Sequence, residues 1–269
     1  MDITKKQLLW AGAVLGGIVL AVVWLSHYVN LPDTAPPLDT SGMATSTGSE
    51  ASSTAPAATS TGVGTVVKNF PINSADTIAS WNFKGAYADD ATLIAQAKAD
   101  IERLTGLLGK GQYDNYDLYN GIANDYGMLG NGQEAYQYYN RSIQIHPAKG
   151  LAYANLAHLM KELGAYHTAV DAYAKAVQVE PGMLEYHLER LTYLTQQFPK
   201  DTTLITAALA DASKQFGDNA SILAIEARWL SDQGRYADAI KAWQTAKTLL
   251  PGKDITAIDA EIARLQAKQ

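Results

Sequence analysis

The feature that most constrains this chain is a repeat. Pro147 and Pro181 lie 34 residues apart, and Pro251 lies 70 beyond Pro181, two such periods plus two residues. Three windows align in this register. Residues 116–149 carry Tyr119, Ile122, Ala123, Tyr126, Gly130, Ala135, Tyr139, Ser142 and Pro147. Residues 150–183 carry Tyr153, Leu156, Ala157, Met160, Gly164, Ala169, Tyr173, Ala176 and Pro181. Residues 220–253 carry Leu223, Ala227, Leu230, Gly234, Ala239, Trp243, Ala246 and Pro251, and depart from the pattern at Glu226, where Leu is usual. A hairpin of two short helices cannot shield its apolar flanks alone, so such units stack on their neighbours.

On these residues the chain resembles the tetratricopeptide-repeat (TPR) family, in a membrane-anchored, bacterial-type form. The resemblance implies an all-α fold, a TPR-type α-solenoid of about four helix pairs with single capping helices. Packing explains the pattern. Small Ala123, Ala157 and Ala227 let the first helix of a pair approach the second closely, and Ala135, Ala169 and Ala239 answer from the other side. Tyr139, Tyr173 and Trp243 are expected to fill the space between neighbouring repeats. Gly130, Gly164 and Gly234 close the first helix in a left-handed conformation that glycine adopts cheaply. The prolines end the second helix, which they cannot continue.

Residues 184–219 are expected to hold a degenerate repeat. Its first helix runs from Leu184 to Phe198 with His187, Leu191 and Leu194. Pro199 breaks it, and Asp201 caps a second helix that reaches Phe216. The two extra residues fit in the turn around 197–202. Amphipathic stripes at 90–108 (Leu93, Ile94, Ala97, Ile101, Leu104, Leu108) and at 254–268 (Ile255, Ile258, Ile262, Leu265) read as the two capping helices of a solenoid domain spanning 89–269.

The N-terminal part is of another kind. Leu8 to Leu25 is an uncharged run of 18 residues, extended by an interfacial edge to residue 29. It is long enough for a transmembrane signal-anchor helix over 8–29, with Trp10 and Trp24 at headgroup level. A cleaved signal peptide is the alternative, with a shorter apolar region as its usual mark. Lys5 and Lys6 precede the span and no Lys or Arg follows until Lys68, which puts residues 1–7 in the cytoplasm and the domain outside it. The expected localisation is therefore the cytoplasmic (inner) membrane, crossed once. Gly12 and Gly16 form a GxxxG face through which two copies could pair, although glycine is common in membrane helices in any case. Residues 30–67 are rich in Ser, Thr, Ala, Gly and Pro and read as a disordered linker. Residues 68–88, with Phe70, Ile72, Ile78, Trp81, Phe83 and Tyr87, read either as an extended aromatic arm packed on the repeats or as an irregular loop.

Few other functions fit. A net charge of −6, from 27 acidic and 21 basic side chains, disfavours nucleic acid. The absence of cysteine removes thiolate chemistry and Cys-based zinc sites. No histidine pair has metal-ligand spacing, residues 106–111 lack the Lys-Ser/Thr of a phosphate loop, and no nucleophile elbow occurs. The expectation is a non-enzyme without cofactor.

What remains is a binding surface. The resemblance implies that the first helices line a concave face. It nominates Asp117, Asn120, Asn124 and Met128, then Leu151, Ala154, Asn155, His158 and Glu162. It continues with Glu185, Leu188, Glu189 and Thr192, and then Ala224 and Arg228. Some family members clamp a peptide carboxylate with two Asn and several cations. Here Asn124 and Asn155 fall on the Asn positions, but Asn120, Glu185 and Glu189 stand where the cations belong, so a basic or neutral peptide fits better. A solvated face without ligand stays open for any single residue. The expected function is a membrane-tethered extracytoplasmic scaffold for a protein or peptide. The alternative is a self-assembling structural component of an envelope complex.

Overall fold

Caps and turn glycines divide the chain into helices at sharp boundaries. A computed structural model describes residues 68–251, 253 and 255–269. The expected membrane helix 8–29 with Gly12 and Gly16, the tail 1–7 and the linker 30–67 lie outside these residues. Among the described residues no helix is long and apolar enough to cross a membrane.

Ten helices follow in order among the described residues: α1 (Ala91–Leu107), α2 (Asn115–Met128), α3 (Gly132–Ile145), α4 (Leu151–Glu162), α5 (Tyr166–Val179), α6 (Leu184–Gln197), α7 (Thr202–Phe216), α8 (Ala220–Asp232), α9 (Tyr236–Thr248) and α10 (Thr256–Gln266). Asp90 caps α1, Asp114 caps α2, Asp201 caps α7 and Asn219 caps α8, each accepting from first-turn amides. Helices α2–α3, α4–α5, α6–α7 and α8–α9 pack as pairs, with α1 against α2 and α10 against α9. The all-α architecture is thus four helix pairs flanked by single helices.

Small residues set the distance within a pair. Ala123 and Ala135, Ala157 and Ala169, and Ala227 and Ala239 are all fully buried. Tyr139, Tyr173 and Trp243 are buried as well. Burying a side chain of this size is worth about 1.5–3 kcal/mol. Gly130, Gly164 and Gly234 have φ of +82°, +74° and +74°, so each first helix ends in the left-handed region.

The third pair differs. In the 34-residue register Leu191 stands where Ala157 does, and with the two-residue insertion Ile205 stands where Ala169 does. Both are fully buried. Two branched side chains between α6 and α7 hold them apart, and the two helices meet along less of their length than the other pairs. Helix α6 also joins two cores. It lends Tyr186 and Tyr193 to a cluster built on α2–α5, and Leu191 and Leu194 to a cluster built on α7–α10.

Residues 68–88 form a non-helical arm that packs Phe70, Ile72, Ile78, Trp81 and Phe83 on the first cluster. Phe83 N donates to Gly130 O (3.1 Å), Gly132 N to Trp81 O (2.8 Å), and Tyr87 N to Met128 O (3.1 Å). The arm meets the α2–α3 turn so closely that a Cβ on Gly130 would lie 2.1 Å from Phe83 O, and one on Gly85 would lie 2.1 Å from Met128 O. Helix α5 has no side-chain cap of its own. Asp76 supplies one from the arm. Its carboxylate accepts from His167 N (3.1 Å), Thr168 N (2.6 Å), Thr168 Oγ1 (2.7 Å) and His167 Nδ1 (3.0 Å). Burial alone would raise the Asp76 pKa, but the hydrogen bonds from Thr168 and His167 outweigh it and hold the carboxyl below its usual range.

Candidate binding face

Polar side chains recur along the first helices at repeat spacing, each tied to the second helix of its own pair. The Tyr139 hydroxyl on α3 donates to Asn124 Oδ1 on α2. One repeat on, the Tyr173 hydroxyl on α5 lies 3.2 Å from His158 Nδ1 on α4, with the two rings edge to face at 5.5 Å between centroids. Burial pushes the Tyr173 phenol far above its ordinary pKa, and the charge of Glu189 adds to the effect, so the hydroxyl stays a donor. The same hydroxyl lies 3.4 Å from the other ring nitrogen, His158 Nε2. That nitrogen lies 3.4 Å from Glu189 Oε2 on α6. Glu189 Oε2 is buried, and apart from this long contact it accepts no hydrogen bond within the described residues. A buried carboxylate oxygen with only a long contact to an imidazole remains a strong acceptor for an incoming N–H.

The other nominated residues divide. Asn155 and Glu185 are partly buried, while Glu162 and Asp117 are exposed. Lys161 Nζ stands 3.4 Å from Glu162 Oε1. Arg228 lies over the Trp243 ring, 5.5 Å from its centroid. Met128, Leu151, Leu188 and Ala224 are partly buried and Thr192 is exposed.

Asn120 does not belong to the face. It is 4% exposed and lies between α2 and α3, where Nδ2 donates to Ser142 Oγ (2.5 Å) and Tyr116 O (3.0 Å). Ala154 is buried as well. The register contained the signal. The second repeat places Ala154 and Ala176 at the positions of Asn120 and Ser142, so one polar pair stands where the next repeat has an apolar one. His146 and His167 lie apart from the face, His146 against Asp114 and His167 against Asp76. Among the described residues no group of three His, Asp or Glu is placed to hold a metal ion.

No protein-family model matches the chain, and no curated protein matches it. Solved structures do. The C-terminal part of a TPR repeat-containing protein from Cytophaga hutchinsonii is 17% identical with a TM-score of 0.53, over 66% of this chain and 69% of that one. A thermophilic TPR protein from Thermus thermophilus is 18% identical with a TM-score of 0.43, over 65% of this chain and 93% of that one. MamA is 15% identical with a TM-score of 0.42, over 59% of this chain and 92% of that one.

Proposed function

Starting from a chain with the tetratricopeptide-repeat fold, we propose that it is a protein-binding scaffold, tethered to the membrane by residues 8–29, whose repeats work outside the cytoplasm. The bound segment is a basic or neutral peptide of a partner protein, held along the first helices. The observation that carries this reading is Glu189 Oε2, a buried acceptor met within the described residues only by a 3.4 Å contact to His158, next to Tyr173. Glu162 and Glu185 extend the negative character of the row, with Arg228 at its far end. A prebuilt face of this kind loses little conformational freedom on binding. The tether rests on the uncharged run from Leu8 to Leu25, and the orientation on Lys5 and Lys6 before it.

A photo-crosslinking residue placed at Asn155 or Glu185 of the full chain in cells tests the face. The expected result is one discrete adduct, weakened at least tenfold by Glu189→Arg. A smear, or an adduct indifferent to Glu189→Arg, sinks the assignment. An adduct of two copies of this chain replaces it with self-assembly. A reporter fused after Gln269 tests the orientation, and activity in the cytoplasm overturns it.

A further inference from the structure

Between α5 and α7, away from the first-helix face, lies an open cleft of roughly 590 Å³. Its walls are Asp171 and Lys175 from α5 and Asp211 and Lys214 from α7. His187 and Arg190 of α6 and Phe70 of the arm complete its lining. We propose that this cleft binds an extended acidic peptide of a partner protein, at a site independent of the first-helix face.

The repeat register shows how the cleft arises. His187 and Arg190 stand where the preceding repeat has Tyr153 and Leu156, both buried. An arginine at a position that elsewhere seals the helix pair leaves polar groups under the surface, and Leu191 and Ile205 keep α6 and α7 apart. The Arg190 side chain is only 11% exposed. Its Nη1 donates to Asp211 Oδ2 at 3.1 Å, but its Nε is buried without an acceptor within the described residues. A guanidinium N–H left in that state calls for one.

The charges in the cleft are unevenly matched. Asp211 is engaged by Arg190, and Asp171 accepts from Asn73 Nδ2 at 2.7 Å. Lys175 Nζ reaches only the neutral Gln178 Oε1, at 3.0 Å. Lys214 has no carboxylate partner among the described residues. Three cations, Lys175, Arg190 and Lys214, thus line the cleft against two carboxylates, Asp171 and Asp211, in a chain whose net charge is −6. Charge complementarity selects an acidic ligand.

The arm shows what form the ligand takes. It lies as extended chain against α3 and α5, one repeat earlier. Helix side chains hold its backbone there: Asn140 Oδ1 accepts from Phe70 N (2.5 Å), the Tyr136 hydroxyl donates to Phe70 O (2.6 Å), and Thr168 Oγ1 accepts from Asn73 N (2.9 Å). The adjacent cleft offers Lys175, Gln178, Lys214 and Gln215 in the same manner, with Phe70, Ala174 and Val177 as apolar walls.

The test uses the full chain in non-ionic detergent and fluorescence anisotropy with a labelled acidic pentapeptide, acetyl-Asp-Glu-Phe-Asp-Glu-amide. A counterpart with Lys at the four acidic positions is the control. The wild type should bind the acidic probe and not the basic one. Lys214→Glu and Arg190→Leu should each weaken binding at least tenfold, and Lys241→Glu, the same charge change on exposed α9, should not. Arg190→Leu restores the residue type of Leu156, so its helical melting transition should not fall. Lys214 is exposed, so its variant tests the site without touching the core. Equal binding of both probes, or variants that bind as the wild type does, overturns the proposal. So does capture of anionic phosphatidylglycerol vesicles without any binding of the peptide.

Discussion

Asp76→Ala is expected to release the arm and uncover the start of α5. The carboxylate is 4% exposed and accepts four hydrogen bonds from His167 and Thr168. Removing a helix-capping acceptor costs about 0.5–2 kcal/mol. Leaving the buried Thr168 hydroxyl without its acceptor adds about 1–3 kcal/mol. The two together predict a loss of about 1.5–5 kcal/mol in urea unfolding of the full chain in mild detergent. Because Asp76 ties the arm to α5 between its anchors at Phe70 and at the α2–α3 turn, limited proteolysis within residues 74–80 should also accelerate. Asp76→Asn keeps one acceptor oxygen and should fall between Ala and wild type. The pH dependence has a fixed sign. The folded pKa of Asp76 is depressed, so its stabilisation is present above the ordinary carboxylate pKa and is lost as pH falls through the folded value. The difference between wild type and Asp76→Ala should therefore be constant near neutrality and shrink in acid. An Ala variant within about 0.5 kcal/mol of wild type, with unchanged proteolysis, refutes the reasoning.

Gly130→Ala should destabilise by about 2–3 kcal/mol, because left-handed strain adds to the clash with Phe83 O. Gly164→Ala, with a similar φ and open space around it, should lose only about 1 kcal/mol. Equal losses in the two thermal melts would show that the arm does not press on the turn. Glu226 sits half-buried at the position of Leu156. Burial raises its pKa above the usual carboxylate value, against the pull of Arg235. A raised folded pKa means that the ionised form weakens the fold increasingly as pH rises through that value. Glu226→Leu should therefore raise stability by about 1–2 kcal/mol at neutral pH and by less in acid, and a gain independent of pH contradicts this.

The helices and their order were legible because their signals are local. The spacing of Pro147 and Pro181, the turn glycines, the paired alanines and the caps Asp90 and Asp201 lie within one repeat of what they specify. A helix forms wherever its own residues satisfy its period and its ends. Even the wider third pair can be read from Leu191 and Arg190 once the register is laid over them.

What the chain alone left undecided rests on contacts between distant residues. Asp76 and Thr168 are 92 residues apart, and no periodicity links them. The same holds for the arm's choice of α3 and α5, which left an extended arm and an irregular loop equally open. Asn120 and Asn124 have the same side chain one helical turn apart, yet one is sealed against Ser142 and the other meets the Tyr139 hydroxyl. Residue type and spacing therefore determined the helical repeat, because a helix closes on itself every few residues. The stacking of pairs decided which polar groups are sealed and which remain available, because burial belongs to the surface that two elements make together.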